Sequence, residues 1–155
     1  MADEFSFELI GIEEMKAELT AIERRFYQNL DRVLNDLADK VILDARRLAG
    51  LDSGDLEAAL DKDTVKTDLK NMYIDFGVMA SPEVAPYAWA QHEGFRRTKK
   101  GKVVHFSPGP KTISKGPYKG FMPGKKFLQN AITINEDLVL TKLAEALHFE
   151  GGALL

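Results

Sequence analysis

The sequence predicts an α+β fold: a long N-terminal helix, a C-terminal helix, a small antiparallel sheet between them, and an extended basic hairpin or loop. Three observations carry that prediction. Apolar residues recur at steps of three or four through residues 13–49, the spacing that stacks side chains on one helix face. Residues 64–79 alternate apolar and polar, as a half-buried strand does. From Lys125 onward the helical spacing returns.

The first helix is marked by Met15, Leu19, Ile22, Phe26, Leu30, Val33, Leu37, Val41, Ala45 and Leu48, with Glu18, Arg24, Arg25, Asp31, Arg32, Asp36, Asp39 and Lys40 between them. Neither Pro nor Gly interrupts it before Gly50. Unbroken, it is about 54 Å long, so part of it is expected to protrude or to pack on a neighbouring subunit. Asp52 or Ser53 then caps a short helix through Leu60, with Asp55 and Glu57 in its first turn. Within 64–79, Met72, Ile74, Phe76 and Val78 point one way and Tyr73, Asp75 and Gly77 the other. "DLKN" reads as the turn from a preceding strand. "SPEVAP" interrupts with two prolines, and "YAWAQHE" reads as a short helix.

Residues 96–123 are dense in Gly and Pro, which excludes a compact helix. "TKKGK" reads as a turn and "KVVHF" as a strand, so the expected form is a protruding arm or long loop on a single domain spanning residues 1–155. The last helix carries Phe127, Leu128, Ala131, Ile134, Leu138, Leu143 and Leu147, with a break or second cap expected near Asn135 and Asp137. "EGGALL" reads as a flexible tail.

Charge is distributed unevenly. The whole chain carries 21 Lys and Arg against 24 Asp and Glu, a net charge of −3. Yet residues 94–135 hold ten Lys or Arg and no carboxylate, leaving 24 acids against 11 bases, or −13, for the rest. Separation of this kind concerns partners more than folding. Arg96, Arg97, Lys99, Lys100, Lys102, Lys111, Lys115 and Lys119 are the cations of the expected interaction arm. Tyr87, Trp89 and Phe95 are its aromatic anchor, with Tyr87 and Trp89 read as core residues. The alternative for the same stretch is a solvated basic loop. The arm is expected to order on assembly, at a cost of about 1–2 kcal/mol per residue fixed.

Several chemistries are missing. There is no cysteine, hence no disulfide framework and no thiol nucleophile. "GFMPGKK" (120–126) is one residue short of a phosphate-binding loop, and Lys126 stands where Ser or Thr would hold magnesium. "HEGFR" (92–96) lacks the second His of a zinc-protease helix. His92, His105 and His148 have no ligand-like spacing, and none of the five serines lies in a nucleophile elbow. Neither a secretory signal nor an apolar run of membrane-spanning length is visible. The expectation is a non-enzymatic protein without cofactor or metal, made in a cytoplasm and not bound to membrane.

Three stretches, in this order, resemble a known family. "SGDLEAAL" (53–60) is similar to its "TG-x-L" segment, "YAWAQHEGF" (87–95) to its "YA…x-E-F/Y-G" segment, and "GKKFLQNAI" (124–132) to the "PF-L-x-x-A" that opens its last helix. The family is that of tail-completion and head–tail joining (neck) proteins of long-tailed bacteriophages. Ser53 replaces its Thr, Gly94 precedes Phe95 instead of following an aromatic, and the basic insertion is longer. The resemblance implies helices packed on an antiparallel sheet. It further implies a structural virion protein in a homo-oligomeric ring, commonly hexameric, between connector or adaptor and tail, with the arm near a neighbouring subunit, another ring or the DNA in the lumen. The alternative is a small nucleic-acid-binding accessory protein without sequence specificity.

Overall fold

The computed structural model describes residues 4–10, 21–51, 54–68, 71–79 and 85–148. Its elements in chain order are β1 (Glu4–Ile10), α1 (Ala21–Leu48), α2 (Asp55–Ala59), β2 (Leu60–Lys62), β3 (Lys66–Thr67), β4 (Asn71–Val78), α3 (Ala85–Glu93), β5 (Phe95–Arg97), β6 (Val103–His105), α4 (Pro110–Ser114) and α5 (Phe127–Leu147). The class is α+β: a long helix and a C-terminal helix with small antiparallel sheets.

Strand β4 organises the main sheet. β1 pairs antiparallel along its length, from Glu4 opposite Gly77 to Ile10 opposite Asn71, while β2 and β3 share its other edge. The alternation read from residues 64–79 holds as far as Phe76, with Met72, Ile74 and Phe76 buried and Tyr73 and Asp75 half-buried, and then lapses: Gly77, expected on the outer side, is buried and Val78 half-buried. At the expected turn, the Asn71 N–H donates to Asp68 Oδ1 at 2.9 Å, an Asp side chain closing its own turn.

β1 was not among the predicted elements. Its "FSFEL" does alternate, and Phe5, Phe7 and Leu9 join the core face. Phe7 meets the Phe76 ring at 4.9 Å between centroids.

The helices cover that face. Phe26, Leu30, Leu34, Leu37, Ala38, Val41, Ile42, Ala45 and Leu48 of α1 are buried, as are Phe127, Leu128, Ala131 and Ala146 of α5. Burying an aliphatic or aromatic side chain is worth about 1.5–3 kcal/mol, so this shared stripe is the main source of cohesion. The start of the long helix expected from residue 13, the caps Asp52 and Ser53, and the tail "EGGALL" lie outside the described residues.

Two expectations are corrected. α5 runs unbroken through Asn135 and Asp137. The Asn135 side chain does not cap; it is buried and donates to Ala131 O at 2.8 Å and to Asp44 Oδ2 at 2.7 Å. The segment 96–123 is also not one arm. Its first part is a hairpin, but from Pro110 the chain folds back over the end of α1, because unsatisfied carbonyls and a buried carboxylate await it there.

Candidate interaction surface: a basic hairpin on a stapled base

The hairpin is short and well closed. Phe95 pairs with His105, Arg96 with Val104 and Arg97 with Val103. The Thr98 N–H donates to Lys102 O and the Gly101 N–H to Thr98 O, both at 2.8 Å. This is a three-residue loop, and it requires a left-handed residue, supplied by Gly101 at φ +80°.

Directly paired residues share a face, so Phe95, His105, Arg97 and Val103 form one side of the ribbon and Arg96 and Val104 the other. Phe95 stands edge-on to Trp89 at 5.6 Å and near His105 at 6.1 Å. That is the anchor. Tyr87, expected in the core, is 40 % exposed and lines a half-open groove of about 490 Å³ together with Gln91, Phe106, Pro108 and Lys125.

The hairpin's base is stapled to the start of α5. Gly94 ends α3 at φ +80°, and a Cβ there would lie 2.7 Å from Lys125 Cδ, so both conformation and space ask for glycine. The Lys126 N–H donates to His92 O at 2.6 Å, and its ammonium to Glu93 Oε2 at 2.6 Å. Those bonds hold Lys126 at φ 59°, a conformation costing a side-chain-bearing residue about 1–2 kcal/mol. Lys126, through its hydrogen bond, keeps the Glu93 carboxyl below the ordinary carboxylate range. Buried His92 lies edge-on to Phe127 at 5.1 Å, and its Nε2 accepts from the Gln129 N–H at 3.4 Å, serving an otherwise orphaned donor in the first turn of α5.

The eight predicted arm cations divide. Arg96, Arg97, Lys99, Lys100 and Lys102 are all exposed, and among the described residues none forms an ion pair. Lys115 is different: its ammonium donates to Arg46 O at 2.9 Å and Ala49 O at 2.8 Å and pairs with Glu57. With the Gly124 N–H on Leu48 O at 2.7 Å, it satisfies the carbonyls at the end of α1 and sets a positive charge at the negative pole of that helix. Lys119 lies 3.8 Å from Asp44 Oδ1 and 5.3 Å from the centre of the Tyr118 ring. Lys111 is exposed on α4 beside the groove. Lys115 and Lys119 thus serve the fold, in a strap running from residue 110 to 126.

Asp44 is the residue that sequence reasoning missed. It is fully buried and accepts from Lys40, from Tyr118 Oη at 2.6 Å and from Asn135 at 2.7 Å. Burial pushes its carboxyl up, but the hydrogen bonds from Lys40, Tyr118 and Asn135 and the Lys40 charge outweigh it, and the group sits below its ordinary value. The same bond pushes the Tyr118 hydroxyl up. A signal existed: Asp44 falls between Val41 and Leu48, and Asn135 between Ala131 and Leu138, at core spacing.

Among the described residues no cluster of three His, Asp or Glu forms a metal-binding set, and no helix is long and apolar enough to cross a membrane. No protein-family model matches the chain, nor does any curated protein or solved structure.

Proposed function

We propose that this chain is a structural, non-enzymatic protein of the neck of a long-tailed bacteriophage. It forms a homo-oligomeric ring, commonly hexameric, that joins or completes the tail beside the connector or adaptor, after assembly in the host cytoplasm. The observation that carries the reading is the charge of the hairpin: five exposed cations without an ion-pair partner among the described residues, held out on a stapled base by a chain that is otherwise acidic. An exposed arm with unpaired charge suits assembly contacts.

The stretches that carry the family resemblance support the same reading. "YAWAQHEGF" and "GKKFLQNAI" meet at the staple of His92, Glu93, Gly94, Lys125, Lys126 and Phe127. "SGDLEAAL" supplies Gly54 at φ 90°, the buried Leu56 and Leu60, and the Glu57 that pairs with Lys115.

The test is genetic and structural. A phage carrying this gene, when deprived of it, is expected to accumulate separate heads and tails, and antibody against the chain to label the head–tail junction. Normal joined particles without the protein would sink the reading.

A second reading, a nucleic-acid-binding accessory protein without sequence specificity, draws on Arg96 and Arg97 facing opposite sides of a two-stranded ribbon, a shape the major groove admits. It requires duplex binding by the isolated protein that collapses with added salt.

A further inference from the structure

We infer that the basic hairpin of one copy docks on the outer face of the main sheet of the next copy. The inference rests on the ring reading above and names the contact that would build the ring.

The acceptor face follows from the register. Residues directly opposite in an antiparallel sheet share a side, so Ser6 with Asp75, and Glu8 with Tyr73 and Lys66, lie on the face away from the helices, as does Asp61 opposite Gly77. Asp63 joins them, its N–H on Asp75 O at 2.8 Å. Four carboxylates (Glu8, Asp61, Asp63, Asp75) thus share this face with one ammonium, that of Lys66, which lies 2.6 Å from Asp63 and 3.8 Å from Asp75. Glu8 and Asp61 are exposed and have no cationic partner among the described residues. Half-buried Tyr73 offers a ring on which a guanidinium can lie.

Among the described residues several other carboxylates are already paired: Asp39 with Lys62, Asp44 with Lys40, Glu57 with Lys115, Glu93 with Lys126 and Glu145 with Lys142. Another exposed acidic pair is Glu136 and Asp137 on α5. That pair lies on a helix near the exposed Leu140, whereas the sheet face sets four carboxylates against the single ammonium of Lys66 and leaves two of them, Glu8 and Asp61, without a cation among the described residues.

The donor fits the acceptor in reach and in sign. The hairpin is a sheet of its own, separate from the β1–β4–β2 sheet. It carries its turn about 17 Å beyond Gly94 at ordinary strand rise. Each copy then has one donor and one acceptor at different places on its surface. Such a head-to-tail contact repeats from copy to copy and closes into a ring when the rotation allows. Being electrostatic and exposed, it weakens as salt rises.

Charge reversal tests it with the full chain, by sedimentation velocity at low salt. One variant reverses the hairpin (Arg96→Glu, Arg97→Glu, Lys99→Glu, Lys100→Glu, Lys102→Glu). A second reverses the face (Glu8→Lys, Asp61→Lys), and a control reverses the α5 pair (Glu136→Lys, Asp137→Lys). The parent and the control are expected to associate, and each of the first two variants alone to associate at least about tenfold more weakly. An equimolar mixture of those two should recover association, since every hairpin then finds a face of opposite sign. Circular dichroism confirms that each variant is folded.

A hairpin variant that fails while the face variant assembles like the parent would overturn the acceptor and leave the ring reading standing. Loss of association in the α5 control alone would do the same. A parent that stays monomeric at low salt yet retards duplex DNA would overturn the inference in favour of a phosphate-backbone partner.

Discussion

The hairpin and the strap belong to one basic, carboxylate-free stretch of sequence, yet they use their charge in opposite ways. In the hairpin, Arg96, Arg97, Lys99, Lys100 and Lys102 point into solvent without partners among the described residues. In the strap, Lys115 closes the end of α1, and Lys119 lies by buried Asp44 with Tyr118 bound to the same carboxylate. Both are basic and free of carboxylates; what differs is what each meets. The strap crosses a helix end that has orphaned carbonyls and a core that contains a carboxylate. The hairpin leaves the body after Gly94 and, among the described residues, meets nothing of that kind. Cations near a buried acid or a helix terminus stabilise the fold, whereas exposed and unpaired ones do little for stability and remain available for a partner.

The largest effect expected from this contrast is at Asp44. Asp44→Ala leaves the Lys40 ammonium, Tyr118 Oη and the Asn135 amide without their acceptor, and should cost about 3–5 kcal/mol of unfolding free energy, read from urea titration at neutral pH. A loss under about 1 kcal/mol would break the comparison, because the strap would then not depend on its buried acid.

The pH dependence has a definite sign. Asp44 and Glu93 both titrate below their ordinary values in the folded chain. Their stabilisation is therefore fully present above the unfolded values, near about pH 4, and is lost as pH falls through the lower, folded values. Unfolding free energy should decline on acidification below about pH 4, and less steeply in Asp44→Asn. Equal slopes for parent and variant would remove Asp44 from the account.

Smaller effects sharpen the contrast. Lys115→Met removes the ammonium from two carbonyls and from Glu57 and is expected to cost about 1–2 kcal/mol. Lys99→Met on the hairpin should change stability by less than about 0.5 kcal/mol. The two hairpin glycines make a second matched pair. Both have φ +80°, but a Cβ on Gly94 meets Lys125 while one on Gly101 meets nothing within 4 Å. Gly101→Ala should cost about 1 kcal/mol for its backbone alone, and Gly94→Ala distinctly more by thermal or urea unfolding.

Much of the architecture was legible in the sequence where a periodic pattern ran long enough. The stripe of α1, the alternation of β4, the "TKKGK" turn before β6 and the start of α5 all follow local rules. β1 carried the same alternation in Phe5, Phe7 and Leu9, and its place on β4 depends on a pairing more than sixty residues away, between Phe5 and Phe76. The candidate site was half legible. Local composition marked the cations but held no information on which of them would meet the end of α1. That sorting depends on Asp44, Asn135 and Tyr118 arriving at one point from three distant parts of the chain, a tertiary fact with only a faint trace in the two polar residues at core spacing. Tyr87 was misread as core because an aromatic on a short helix is usually buried, whereas here it borders an open groove.

The measurement that tests the division most directly is made on one variant, with Arg96, Arg97, Lys99, Lys100 and Lys102 all changed to Ser, by following its urea unfolding and its sedimentation at low salt. An unfolding free energy within about 0.5 kcal/mol of the parent and a loss of self-association are expected. A stability loss above about 2 kcal/mol, or association equal to the parent's, would contradict that division.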